Sequence, residues 1–190
     1  MPAIKGAWPA PPLEIFNMGT VKPLFDDKQI AERVDQLAGS IASTISGNFI
    51  IVGLLKGSFM LVADLARALD RHGLSPQIEF MQVSSYGNSR KSSGEVRVNG
   101  KTPASIAGNQ ILLIDDIVDP GHTLHHTSKL LLDLGAQKVW TCCLLEKPSR
   151  REIDCNADFI GFEVEDVFVV GYGIDYAEKY RYLPYIGVVD

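Results

Sequence analysis

Residues 111–124 read ILLIDDIVDPGHTL, and this stretch decides the fold. The unbroken apolar run from Ile111 to Ile114 is the pattern of a strand buried on both faces, as in a parallel sheet. It runs into two adjacent carboxylates, Asp115 and Asp116. A short turn with Pro120 and Gly121 follows, then a helix predicted over 123–134 with Gly135 as its stop. In an open parallel sheet the carboxyl ends of the strands form the ligand-binding edge. A helix start carries N–H groups without intrahelical partners and the positive end of the helix dipole, which suits a phosphate. Gly121 allows close backbone approach to an anion, and Thr123 adds a hydroxyl. Ionised Asp115 and Asp116 only accept hydrogen bonds, which suits sugar hydroxyls or a hydrated magnesium ion. The competing reading makes Asp119 and Thr123 simple helix caps.

The flanking sequence repeats the strand–helix alternation. A helix is predicted from Asp26 or Asp27, with Ile30, Val34, Leu37, Ile41 and Ile45 as its apolar stripe and Gly47-Asn48 as its end. Residues 49–55 (FIIVGLL) read as a buried strand, 59–71 as a helix closed by Gly73, and 78–85 as a strand. Residues 86–94 (YGNSRKSSG) read as a mobile loop, 95–98 as a return strand with a turn at Asn99-Gly100, and 139–145, 159–164 and 168–170 as further strands. The fold class is therefore α/β, a Rossmann-like, mostly parallel sheet flanked by helices on both faces, with a small carboxy-terminal flap or hood. The predicted organisation is a proline-rich arm over residues 1–22 and a single domain over 23–190.

Bulk properties narrow the function classes. The chain has 190 residues, 46% hydrophobic and 22% charged, enough to bury a core without staples. A net charge of −5 argues against a general nucleic-acid binder. Cys142, Cys143 and Cys155 are an odd set without metal-binding spacing, which reads as reduced thiols in a cytoplasmic protein. No apolar run reaches the roughly 18–20 residues that span a membrane, and the amino terminus lacks a secretory pattern.

The quoted stretch resembles the phosphoribosyl-pyrophosphate signature of type I phosphoribosyltransferases. The resemblance extends over most of the chain from about residue 20. Residues 54–57 (LLKG) look like that family's pyrophosphate-side loop, 80–86 (FMQVSSY) like the strand leading to its mobile hood, and 144–148 (LLEKP) with 159–180 like its purine half. Together they resemble the hypoxanthine-guanine members. The resemblance implies the following roles. Asp115 and Asp116 hold the ribose hydroxyls. Asp119 faces purine N7 as acceptor or general base. Gly121, His122 and Thr123 line the 5-phosphate. Lys147 donates to the 6-oxo group, Phe168 stacks on the base and Val169 bonds its edge through the backbone. Lys56, Gly57 and Arg181 contact pyrophosphate, at a Leu55–Lys56 peptide that is often cis in the family. Asp175 meets Mg2+, with Asp115 and Asp116 as further metal candidates, and Ser85 and Tyr86 open a mobile loop that excludes water on closing. The implied partners are phosphoribosyl pyrophosphate, hypoxanthine, guanine, IMP and GMP, with no nucleic acid and no membrane, in a homodimer or homotetramer.

Each of these residues also has a bland reading: Lys147 a solvated surface lysine, Phe168 core, Arg181 a surface pair, Asp175 a turn cap, Lys56 a strand end. A regulator that binds phosphoribosyl pyrophosphate shares the signature, but Lys147, Phe168 and Asp175 favour the enzyme. A flavodoxin-like or receiver domain leaves residues 168–176 (FVVGYGIDY) unexplained. The chain departs from the family at Pro120, where threonine or serine is usual. Proline lacks both an N–H and a hydroxyl, which predicts weaker phosphate binding. His122 stands where a basic or amide residue is common, which predicts affinity that improves as pH falls toward 6.

Overall fold

The computed structural model describes residues 21–85, 96–99, 102–153 and 156–189. Most of the arm, the loop over 86–94 with Tyr86, and Cys155 lie outside the described residues.

Six strands form the main sheet: β2 (Phe49–Leu55), β3 (Gln77–Ser85), β4 (Val96–Asn99), β5 (Gln110–Val118), β6 (Lys138–Glu146) and β7 (Phe159–Glu163). Their order is β4-β3-β2-β5-β6-β7, with every pair parallel except β3–β4. Among the described residues three α-helices cover it: α1 (Asp27–Thr44), α2 (Phe59–Arg71) and α3 (His122–Asp133). Alternating side chains of the central strands feed two cores. Ile51, Leu112, Ile114 and Leu144 pack with α1 and α2, whereas Ile50, Val52, Leu113 and Cys143 pack with Leu124 and Leu131 of α3. Continuous apolar strands follow from having helices on both faces.

Local sequence sets the helix ends. Asp26 caps α1 by accepting from the Gln29 N–H at 2.8 Å, and Gln29 Oε1 accepts from the Asp26 N–H at 2.9 Å, a complete capping box. The helix stops at Thr44, before Gly47, because Ile45 is already extended; its side chain still completes the buried stripe. Gly73 (φ +80°) and Gly135 (φ +92°) end α2 and α3 in the left-handed region that glycine tolerates. Burial holds the Cys142 thiol up at about 12 and raises Cys143 as well, so both are inert packing groups.

The small second sheet is built differently from the carboxy-terminal flap expected. It has the order β1-β9-β8, with β1 (Val21–Phe25), β8 (Val169–Val170) and β9 (Ile186–Val189) antiparallel. Val21 and Lys22, assigned to the arm by composition, pair with Val189 and Val188. Pro23 is tolerated because β1 is an edge strand.

The strand order reverses between β2 and β5: the chain moves outward from β2 to β3 in one direction and from β5 to β6 and β7 in the other. β2 and β5 pair only as far as Gly53 and Ile114, whereas β5 stays paired with β6 to Val118 and Glu146. A crevice therefore opens beyond Ile114, and Asp115 and Asp116 lie on its wall, within the strand and not in the loop that follows. This is the switch-point position at which open α/β sheets bind ligands.

Candidate active site

The crevice is lined first by the two acids of β5. Asp115 is buried, and Asp116 lies against the loop after β2, where a Cβ on Gly57 would overlap its carboxylate. Only glycine fits there. Asp115 Oδ1 accepts from the Asp116 N–H at 3.0 Å, and Asp116 Oδ1 from the Ile117 N–H at 2.9 Å. Burial raises the Asp115 carboxyl well above the usual range, and the adjacent Asp116 charge raises it further. Burial raises Asp116 too, opposed by its hydrogen bonds and by the nearby Arg181 cation. Two oxygen-donor groups in this state fit a hard cation that keeps part of its shell as water and phosphate oxygens.

Beyond the acids the chain turns at Asp119–Pro120, a cis peptide, and enters α3 through Gly121 at φ +104°. The bland reading of this turn fails. Among the described residues no side chain caps α3, whose first helical bond is His125 N–H to Gly121 O at 3.1 Å. The amino end of α3, with Gly121, His122 and Thr123, is thus free to receive an anion. His122 Nε2 lies 3.0 Å from Glu152 Oε2.

Asp119 instead faces two cations. Its Oδ2 is 3.2 Å from Lys147 Nζ, and its Oδ1 accepts from Arg150 Nε at 3.0 Å. Lys147 is only 7% exposed, so it is not a solvated surface lysine. Strand register places it there: its N–H donates to Val118 O at 3.2 Å, one residue before Asp119. A 3-10 turn over Pro148–Arg150 brings Arg150 back beside it, and Arg150 also reaches Asp166 at 3.5 Å. The ion pair of buried Glu146 with Arg151 anchors this turn.

The third group sits on the hairpin after β8. Arg181 Nη1 donates to Gly173 O at 2.8 Å, and its Nη2 is 2.7 Å from Asp175 Oδ1. Asp175 Oδ2 also accepts from the Glu178 N–H at 2.8 Å, so it does cap a turn, but while paired with Arg181. Lys56, after a Leu55–Lys56 peptide that is cis, reaches Glu178 at 2.9 Å. A Cβ on Gly173 would overlap the Gly57 carbonyl oxygen, so the hairpin and the β2 loop touch backbone to backbone. Phe168 is 51% exposed, not core, with its ring 5.2 Å from that of Tyr176. Val169 is buried in β8.

The structure thus gathers Lys56, Gly57, Asp115, Asp116, Asp175 and Arg181 on one side of the crevice, with Asp119 and Lys147 beside the start of α3. Ser85 ends β3. Sequence reasoning missed Arg150 and Glu178. Arg150 had a usable signal, since a residue three past Lys147 across a proline-initiated turn returns to the same side. Glu178 had only its spacing of three from Arg181.

A pair of adjacent acids, a glycine-led uncapped helix and flanking cations at a sheet switch point define an enzyme-type ligand crevice. The chain belongs to the phosphoribosyl transferase domain family, whose pattern matches residues 20–177. It is similar to the hypoxanthine-guanine phosphoribosyltransferase of Bacillus subtilis, 44% identical over 169 residues that cover 88% of this chain and 92% of the relative. It is 39% identical to the hypoxanthine phosphoribosyltransferase of Escherichia coli over 90% of this chain and 96% of the relative. Among solved structures, the Trypanosoma cruzi hypoxanthine phosphoribosyltransferase in complex with the product IMP aligns with a TM-score of 0.84 at 33% identity, covering 92% of this chain and 96% of that one.

Proposed function

We propose that this protein is a purine-salvage pentosyltransferase that moves the 5-phosphoribosyl group from phosphoribosyl pyrophosphate to hypoxanthine or guanine, yielding IMP or GMP and pyrophosphate. The observation that carries the reading is Asp119. It leaves the adjacent helix uncapped and is held by Lys147 and Arg150 beside the turn that enters α3.

On this reading the 5-phosphate sits on the amino end of α3, at Gly121, His122 and Thr123, and the ribose hydroxyls meet Asp115 and Asp116. The purine lies on Phe168, with its edge at the Val169 backbone. As the bond from the anomeric carbon to pyrophosphate breaks, the sugar gains oxocarbenium character and the purine nitrogen attacks. The purine gives up a proton, which the Asp119 carboxylate near N7 accepts or stabilises. Lys147, buried and cationic, donates to a 6-oxo group. Adenine carries an amino donor there and would leave Lys147 mispaired, so 6-oxopurines are selected. Lys56, the Gly57 backbone and Arg181 neutralise the departing pyrophosphate.

The family is generally magnesium-dependent. Here Asp175, with Asp115 and Asp116 as further candidates, would hold Mg2+, which would supply charge neutralisation for the pyrophosphate oxygens. Among the described residues no three ligand side chains converge on one point, so water and phosphate oxygens complete its shell. Placement in the cytoplasm as a homodimer or homotetramer completes the reading. Sedimentation at micromolar concentration tests the assembly.

The direct test is a spectrophotometric assay with Mg2+, phosphoribosyl pyrophosphate and each of hypoxanthine, guanine, xanthine and adenine. Nucleotide formation from hypoxanthine and guanine but not adenine is expected, and it collapses in Asp119→Asn. Folded protein that turns over no base would overturn the reading.

A further inference from the structure

The cations assigned to pyrophosphate already hold an anion, and it comes from the chain itself. Glu178 Oε2 is 2.9 Å from Lys56 Nζ and 3.6 Å from Arg181 Nη2. Lys56 leaves β2 and Arg181 follows the hairpin, so one carboxylate oxygen bridges two cations far apart in sequence. The hydrogen bond from Lys56 holds the Glu178 carboxyl below the usual range, with the Arg181 charge adding to it.

The backbone is bent to present this group. Tyr176 and Lys179 exchange N–H···O bonds of 3.2 and 3.0 Å across a two-residue turn. Both central residues, Ala177 (φ +52°) and Glu178 (φ +62°), lie in the left-handed region. Such a turn favours Asn-Gly, and an alanine followed by a glutamate is a strained choice. Asp175 Oδ2 pins it by accepting from the Glu178 N–H, while its other oxygen holds Arg181.

The contact is also easy to release. The Lys56 and Glu178 side chains are both more than half exposed, and an ion pair of that kind contributes little stability. Arg181 Nε is buried and has no hydrogen-bond partner among the described residues, so the guanidinium keeps a donor that Glu178 does not use. A multiply charged anion would outcompete the single carboxylate for Lys56 and Arg181.

We infer that Glu178 is a built-in competitor of pyrophosphate, a positioning residue that holds Lys56 and Arg181 until the substrate's pyrophosphate displaces it and that weakens product retention by like-charge repulsion. The inference rests on the reading of Lys56 and Arg181 as pyrophosphate contacts. It leads to an unusual expectation: neutralising an acid at the site tightens anion binding. Removing one like charge about 5 Å away in a largely aqueous setting corresponds to a change of about fourfold per unit of ligand charge.

The experiment is calorimetric titration of pyrophosphate with MgCl2 into wild type, Glu178→Gln and Glu178→Asp, alongside hypoxanthine turnover. Glu178→Gln is expected to lower the pyrophosphate Kd and its product-inhibition constant by about three- to tenfold, and Glu178→Asp to stay within twofold of wild type. A merely structural role for Glu178 would leave pyrophosphate binding unchanged or weaker in Glu178→Gln. That result, in a wild type that turns over hypoxanthine, would overturn this inference and leave the proposed function standing. A wild type that neither turns over hypoxanthine nor binds pyrophosphate would overturn both.

Discussion

The amino ends of α1 and α3 are both preceded by an aspartate, and the chain treats them in opposite ways. Asp26 turns its carboxylate onto the α1 backbone, and Gln29 closes the capping box. Asp119, three residues before α3, turns away to Lys147 and Arg150, and the helix starts uncapped behind a left-handed glycine. A capping box satisfies orphan N–H groups locally and contributes about 0.5–2 kcal/mol. A helix end left open forgoes that contribution, and its N–H groups stay available to a ligand. The acids differ in the same sense. Asp26 is satisfied where it stands, whereas Asp115 is buried with the part-buried Asp116 beside it. Stability was optimised at one end and left incomplete at the other, which is the expected trade at a binding site.

The sharpest way to break this comparison is to make each aspartate an asparagine. Asparagine caps a helix about as well as aspartate. If Asp119 were a cap, Asp119→Asn would be silent. We expect kcat/KM for hypoxanthine to fall by about 10²–10⁴, with circular dichroism unchanged. Asp26→Asn leaves both activity and melting temperature near wild type. Asp26→Ala lowers stability by about 1 kcal/mol in urea denaturation without changing KM. A loss of activity in Asp26→Asn as large as in Asp119→Asn would dissolve the distinction.

A smaller effect comes from giving the open end of α3 what the family has. Pro120→Thr restores a backbone N–H and adds a hydroxyl. A charge-assisted hydrogen bond contributes about 1.5–3 kcal/mol, so KM for phosphoribosyl pyrophosphate should fall about tenfold or more. Steady-state kinetics at fixed hypoxanthine reads this directly, and an unchanged KM would mean that the start of α3 already offers all the donors the phosphate uses.

The acid pair gives a prediction with the opposite sign for stability and function. The Asp115 carboxyl lies above its ordinary range because it is buried beside Asp116. The folded state therefore binds more protons than the unfolded state between the ordinary value and the raised one. The pair's contribution is most favourable below the ordinary carboxylate value and is lost as pH rises through the raised value. Asp115→Asn removes that loss. A gain of about 1–2 kcal/mol would raise Tm by about 2–8 °C, more at pH 8 than at pH 5 by scanning calorimetry, while affinity for phosphoribosyl pyrophosphate falls. A lower Tm at pH 8 would show that Asp115 is held by favourable contacts and not by burial alone.

What could be read from sequence follows the range of the physics. The α1 cap, the glycine stops of α2 and α3, the buried strands and the acids at the end of β5 are all local, within a few residues of the pattern that marks them. The resemblance supplied residue roles that local chemistry could not. The arrangement of partners was not legible. Nothing in LLEKP says that Lys147 is buried, because its burial depends on β5 and β6 pairing through Val118 and Glu146. Nothing in VKPLF marks Val21 and Lys22 as a strand, because their partner β9 is at the far end of the chain. The competing reading of Phe168 as core rested on its apolar neighbours, yet β8 begins only at Val169 and leaves the ring half exposed. Long-range pairing decides exposure, and exposure separates a stacking platform from a core residue.

The smallest expected effect returns to the open end of α3. His122 is its first residue, with Glu152 3.0 Å from Nε2, the His126 ring stacked at 6.3 Å, and the His125 ring against His126. Burial and the charges of His125, His122 and Lys129 hold His126 below the usual imidazole range. An imidazolium is a charged donor, and Pro120 has removed a neutral one nearby. The difference between charged and neutral hydrogen bonds is roughly 1 kcal/mol, so KM for phosphoribosyl pyrophosphate should fall about fivefold from pH 8.5 to 6. The substrate's own phosphate loses charge over the same range and works against this trend. The useful readout is therefore wild type against His122→Gln, whose KM should stay flat or rise as pH falls. Parallel profiles for the two proteins would remove His122 from the phosphate site and assign its ring to Glu152 alone.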